Sequence, residues 1–260
     1  MTTAPAPTPT LTAADIPDRF TVDSAELQAE VSARTPILFR ADGEPYIPLP
    51  APFERFYLGV MRHWDTPHDV AMMNDIRVAR TLVGPPFPLP VRASKNWLLK
   101  ERRDVTAIFA AYAEGKFLPA GTAPFSILRE LKPDGSEVYV GQVTVFYCGD
   151  DTKRLTPVNA AWEEWRTRTK VWEIGAAIHP DYQRTGLATA AVDVFMHQWV
   201  IPQMGATELR AQCFASNLGS VKLWQKYGFV EEPSLRGEVT VSEAKGGGVE
   251  PDMTLIWHLK

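Results

Sequence analysis

The stretch Gln183-Arg184-Thr185-Gly186-Leu187-Ala188 lies where one structural period gives way to another. Before it, Val171 to Ile178 is an apolar run broken only by Glu173 and Gly175, and His179-Pro180-Asp181-Tyr182 closes it because Pro cannot continue a central ladder. After it, Ala188, Val192, Phe195 and Trp199 recur at i, i+4, i+7 and i+11, the spacing of one buried helix face. The six residues therefore form a strand-to-helix turn. Free first-turn N–H groups and the helix dipole favour an anion there. Gly186 lets backbone approach a phosphate closely, Ala188 keeps the first turn narrow, and Gln183 and Arg184 can reach phosphate oxygens. The same six residues also fit an ordinary helix start with a small packing residue. Other phosphate loops are excluded: there is no Gly-Lys-Ser/Thr, and no G-x-G-x-x-G follows a strand.

Outward from this turn, strand 171–179 and helix 185–200 are followed by a strand at 207–214, a helix at 218–227, and strands at 229–241 and 251–259 around Gly246-Gly247-Gly248. Upstream, strands at 123–131 and 137–147 flank Lys132-Pro133-Asp134-Gly135-Ser136, a hairpin turn in which Gly takes positive φ at low cost. Thr66-Pro67-His68-Asp69 reads as a helix start with Thr66 as N-cap, running to about Leu82, and a second helix spans 93–114. Phe56 to Met61 reads as a strand. Strands followed by alternating strands and helices make an α/β or α+β mixed sheet. Residues 1–10 look disordered, and 1–50 as a whole read as a disordered or peripheral extension of a domain covering 51–260.

The bulk numbers are those of an ordinary globular chain: 260 residues, 45% hydrophobic, 22% charged, formal net charge −4. That balance argues against a dedicated nucleic-acid binder. Cys148 and Cys213 form no C-x-x-C pair, so neither a disulfide framework nor a cysteine metal site is expected. The absence of a signal-like N-terminus or an apolar run of about 18 residues leads to the expectation of a cytoplasmic protein without membrane partners.

Two further segments add specificity. Asn217-Leu218-Gly219-Ser220 is followed by Lys226-Tyr227-Gly228-Phe229, and Arg236 and Asp252 come later. Together with Glu173-Ile174-Gly175 and Pro180 to Ala188, these resemble the signatures of the GNAT superfamily of acyl-CoA N-acyltransferases, closest to its Rim-type, ribosomal-protein alanine N-acetyltransferase branch. The resemblance covers 171–260 by motif, 56–147 only by order of elements, and 1–50 not at all. It implies a mostly antiparallel central sheet whose fourth and fifth strands splay apart. Backbone amides of Ala176, Ala177 and Ile178 would pair with the pantetheine arm of acetyl-CoA. Gln183, Arg184, Thr185, Gly186, Leu187 and Ala188 would hold its pyrophosphate. No metal is implied.

Transfer from a thioester to an amine needs a neutral amine, stabilisation of the oxyanion, and a proton or hydrogen bond for the departing sulfur. Glu173, a carboxylate on an apolar strand, is the candidate base, with His179 as rival and a structural ion pair as the plain alternative. Ser220 could hydrogen-bond the sulfur; Asn217 could touch pantetheine or cap its helix. Many members of the superfamily carry a Tyr acid seven residues after this Asn, but here Trp224 stands there, and Tyr227 is expected to pack. Trp162, Trp165 and Glu163-Glu164 could border a substrate or simply lie on a loop. The expected acceptor is a small-molecule primary amine; a protein N-terminus or lysine, or a non-catalytic acyl-CoA sensor, are alternatives. The oligomeric state is left open.

Overall fold

The computed structural model describes residues 17–117, 122–147 and 171–259. Trp162, Trp165 and the Glu163-Glu164 pair lie outside the described residues, as does the disorder expected for 1–10. Among the described residues ten strands form one sheet in the order β1-β2-β3-β4-β5-β6-β7-β10-β8, with β9 pairing on β10. These are β1 Leu38–Phe39, β2 Pro45–Pro48, β3 Phe56–Gly59, β4 Ile127–Leu131, β5 Glu137–Tyr147, β6 Val171–Ile178, β7 Glu208–Phe214, β8 Val230–Glu231, β9 Gly237–Thr240 and β10 Val249–His258. All neighbours run antiparallel except β6 and β7. The mixed, mostly antiparallel sheet expected from the sequence is present.

The helices are α1 Ala25–Arg34, α2 Asp65–Met73, α3 Ile76–Ala79, α4 Val91–Ala113, α5 Leu187–Val194 and α6 Leu218–Lys226. The expected helix 66–82 is broken in two. Asp75 adopts an extended conformation and caps a new helix by accepting from Arg77 N, while Asn74 is tied on both sides to Leu89. Thr66 is not the cap: Trp64 holds that position without a side-chain bond, and Thr66 is buried in the first turn. The helix after the phosphate-type turn begins at Leu187, and its last turn, Phe195–Val200, widens to π geometry. Expected strand 229–241 is interrupted by the turn Pro233–Leu235, which separates β8 from β9. The β4–β5 hairpin closes as expected, with Gly135 at φ +82° and Asp134 accepting from Ser136 N.

Residues 17–50 carry α1, β1 and β2 and send Val22, Val31, Ile37, Ile47 and Leu49 into the main core. That core continues through Leu58, Leu128, Val143 and Ile174 on one face of the sheet to the buried side of α5. A smaller cluster forms around Met72, Met73, Val78 and Leu98 from α2, α3 and α4 with Ile127, Tyr139 and Ala177. Side chains alternate along β6, so Ile174 belongs to the first cluster and Ala177 to the second. No described helix is long and apolar enough to cross a membrane.

Candidate active site

The parallel pairing of β6 with β7 is short. It holds at Val171–Glu208, Trp172–Leu209 and Glu173–Arg210, yet β6 runs on to Ile178 and β7 to Phe214. From Gly175 onward the two strands part, and the β6 edge facing β7 has no partner strand in the described sheet. Backbone polar groups along such an edge are available to an extended ligand that can act as an added strand.

The V-shaped gap opens into a cleft of about 900 Å³. One wall is Gly175 to Ile178; the end is Gln183, Arg184, Gly186, Ala188 and Thr189. The opposite wall is Gln212 and Cys213 of β7 with Asn217, Ser220 and Trp224, and Val78 and Thr81 to Val83 close the far side. Of the residues expected to bind the cofactor, Ala176, Ala177, Ile178, Gln183, Arg184, Gly186, Ala188, Asn217 and Ser220 are thus brought together. Leu187 is buried in the core and Thr185 folds onto its own loop, its Oγ1 donating to Tyr182 O at 2.8 Å. Leu187 can face a ligand only through the backbone, whereas the Thr185 side chain is exposed.

The loop turns sharply into α5. Arg184 at φ +62° and Gly186 at φ +89° both take left-handed backbone, flanking Thr185 immediately before α5. Successive amides in such a turn can form a concave donor set, and the first-turn amides of α5 add to it. A Cβ on Gly186 would stand 3.5 Å from Phe53 Cζ, an ordinary contact. Backbone conformation rather than lack of space therefore selects Gly at this position. Gln183 Nε2 donates to Ile178 O at 2.8 Å, pinning the loop to the end of β6.

Glu173 lies at the vertex of the V, on the last rung before the strands separate, half-buried and in register with Phe146 and Arg210. The cleft lining begins two residues later on the same face, at Gly175. His179 is otherwise employed: its Nδ1 accepts from Asp181 N, capping the turn that leads to the loop. Asn217 does cap α6, accepting from Ser220 N at 3.2 Å, and its amide also reaches Thr81 O at 3.5 Å. Tyr227 packs, donating to Thr189 O at 2.6 Å.

Sequence reasoning missed three features of the cleft. Trp224, 2% exposed, donates its indole N–H to Ser220 Oγ at 3.0 Å. Cys213 lines the cleft; burial pushes its thiol up, and the nearby Ser220 hydroxyl pulls it partly back. Lys245 Nζ, in the β9–β10 connection, donates to Leu82 O and Pro85 O, both at 3.0 Å. The alternation of β7 could have placed Cys213 on the cleft side; the Lys245 contact spans over 160 residues and has no local signal.

Comparison with known proteins agrees with this geometry. Residues 55–230 match the family model described as Acetyltransferase (GNAT) domain. Among solved structures, a ribosomal-protein-alanine N-acetyltransferase from Brucella melitensis superposes with TM-score 0.50 at 16% identity, covering 78% of this chain and 99% of that one. A GNAT-family acetyltransferase from Bacillus anthracis gives TM-score 0.49 at 14% identity, covering 82% and 98%. No curated relative matches.

Proposed function

Since the chain belongs to the GNAT acetyltransferase family and so transfers an acyl group from acetyl-CoA to an amine, we propose that its acceptor is a small-molecule primary amine, with Glu173 as base and Ser220 at the departing sulfur. The observation that favours a small acceptor is the tethering of segment 81–85, of which Thr81, Leu82 and Val83 line the cleft. The segment is held by Lys245 at Leu82 and Pro85 and by Asn217 at Thr81. A polypeptide acceptor needs an open groove, whereas a small amine needs only a mouth.

The residues fit acetyl-CoA. The free edge of β6 from Gly175 to Ile178 offers backbone groups to the pantetheine arm, and Gln183 to Ala188 offer amides and the Arg184 charge to the pyrophosphate. The acyl thioester is the electrophile that acetyl-CoA supplies when bound. Glu173 takes the proton that the amine loses as the C–N bond forms, directly or through a water. Ser220 donates a hydrogen bond to the sulfur as the C–S bond breaks and the electron pair leaves with it. Holding both reactants in one cleft supplies much of the rate, up to roughly 7–11 kcal/mol in favourable cases.

Calorimetric titration with acetyl-CoA, together with thiol release over a panel of small amines and peptides, tests this reading. Binding with turnover on small amines is expected, and Glu173→Gln should lower kcat about 100-fold, as loss of a general base does, without weakening CoA binding. Turnover on peptides alone would make the chain a protein acetyltransferase. Binding without any turnover would make it an acyl-CoA sensor.

A further inference from the structure

We propose that Trp224 is a positioning residue that fixes Ser220 as a hydrogen-bond donor toward the cofactor sulfur. This inference rests on the reading of the cleft given above. A serine hydroxyl has one proton and two lone pairs, whereas an indole N–H can only donate. With Trp224 Nε1 donating to Ser220 Oγ at 3.0 Å, one lone pair is occupied and the hydroxyl proton must point elsewhere. Ser220 and Trp224 are i, i+4 on α6, so the helix itself sets their distance. The backbone of Ser220 is fixed as well, since its N–H donates to Asn217 Oδ1.

The cleft supplies the direction of the proton. Cys213, Ser220 and Trp224 all line the cleft, so the remaining hydroxyl direction of Ser220 opens toward it. A Ser in the first turn of a helix can instead turn its hydroxyl back to a preceding carbonyl, here that of the cap residue Asn217 three positions earlier. The indole, buried and rigid, disfavours that alternative by holding the oxygen where it is. Trp224 cannot supply a proton itself, so its part differs in kind from that of a phenol at the same position. No bond to Trp224 is made or broken; Ser220 keeps its proton and shares it with the sulfur.

The test compares CoA with desulfo-CoA by calorimetry from pH 7 to 9.5 for the wild-type chain, Trp224→Phe, Ser220→Ala and the double variant. Cys213 on β7, Lys222 and Lys226 on α6 and Arg184 on the loop are the charged or titratable groups lining the cleft, with Glu173 on β6 at its vertex and Asp252 on β10 near Cys213. The four chains are compared in a Cys213→Ala background, which removes the other thiol lining the cleft from the pH dependence. A donor to sulfur favours bound thiolate, so the CoA to desulfo-CoA affinity ratio should rise with pH, by about tenfold for each unit that the bound thiol is lowered. Trp224→Phe should lose most of that rise, Ser220→Ala all of it, and the double variant should match Ser220→Ala. Desulfo-CoA affinity should stay unchanged, which also reports folding. If Trp224→Phe keeps the wild-type ratio while Ser220→Ala loses it, the positioning role is overturned. If both keep it, Ser220 is not the donor and the proposal falls with it. If the wild-type chain binds neither ligand, the reading of the cleft itself fails. Should Trp224→Phe not fold, the indole ¹⁵N–¹H signal of Trp224 in the wild-type chain decides. It should shift with CoA and not with desulfo-CoA, and equal shifts would overturn the proposal.

Discussion

Among the described residues, two cavities with charged side chains differ in how those charges are answered. The first, about 500 Å³, lies among β2, β3, α2 and the β4–β5 hairpin. Its acids and arginines are matched pair by pair. Arg62 bonds Glu44 and Glu137, Arg129 bonds Asp65, Arg40 bonds Glu137 and Arg19 bonds Asp42. Burial pulls the Arg62 guanidinium down, but the Glu44 and Glu137 hydrogen bonds outweigh it and raise it overall. Burial likewise pushes Tyr57, which donates to Glu137, up to about 12. The second cavity, between β6 and β7, carries backbone amides and the Arg184 side chain at its end, arranged around space. In the first, every arginine has a carboxylate partner, although the buried Arg40 Nε and Arg129 Nη1 carry no hydrogen bond among the described residues. The second leaves donors for something outside the chain. Charge density alone would have picked the first cavity.

Breaking the network of ion pairs should produce the largest effect. Arg62→Met leaves Glu44, 3% exposed, without its cation, and unfolding free energy should fall by about 3–5 kcal/mol in denaturant titration. Affinity for CoA in the folded fraction should not change. Gly186→Glu should do the reverse. The left-handed φ of +89° costs a non-glycine residue about 1–2 kcal/mol, which the fold can bear. The added carboxylate would meet the pyrophosphate, and CoA affinity should drop about 100-fold or more, near 2.7 kcal/mol, by calorimetry. A Gly186→Glu chain that binds CoA normally would remove the loop assignment.

The smallest effect concerns pH. Burial pushes the Glu137 carboxyl up, but hydrogen bonds from Arg62 and Tyr57 outweigh it and hold it below the usual range. A carboxylate depressed in the folded state adds stability above its unfolded pKa and loses it as pH falls through the folded value. Thermal stability should therefore decline on acidification below the ordinary Glu range, and Glu137→Gln should flatten that decline. CoA affinity should follow neither change.

The sequence was most informative where function is written in short range. The strand at 171–178, the turn at 183–188 and the cap at Asn217 are each set by residues within one helical turn or strand, so spacing revealed them. The break at Asn74-Asp75 escaped because it depends on Asn74 meeting Leu89, fifteen residues away. The hydrogen bond of Trp224 to Ser220 is local, yet the position reads as a departure from the family pattern until the indole N–H is seen to have a partner. The extension of the sheet by β1 and β2 was hidden by the prolines at 45 and 48, which the short, edge-proximal strand β2 accommodates. The tether made by Lys245 depends on tertiary contact alone.

Amide hydrogen exchange with and without CoA tests the choice between the two cavities most directly. CoA should slow exchange at Gly175 to Ile178 and at Arg184 to Thr189, and leave β2, β3 and the β4–β5 hairpin unchanged. Protection around Arg40, Arg62 and Glu137, with none along the β6 edge, would contradict the account.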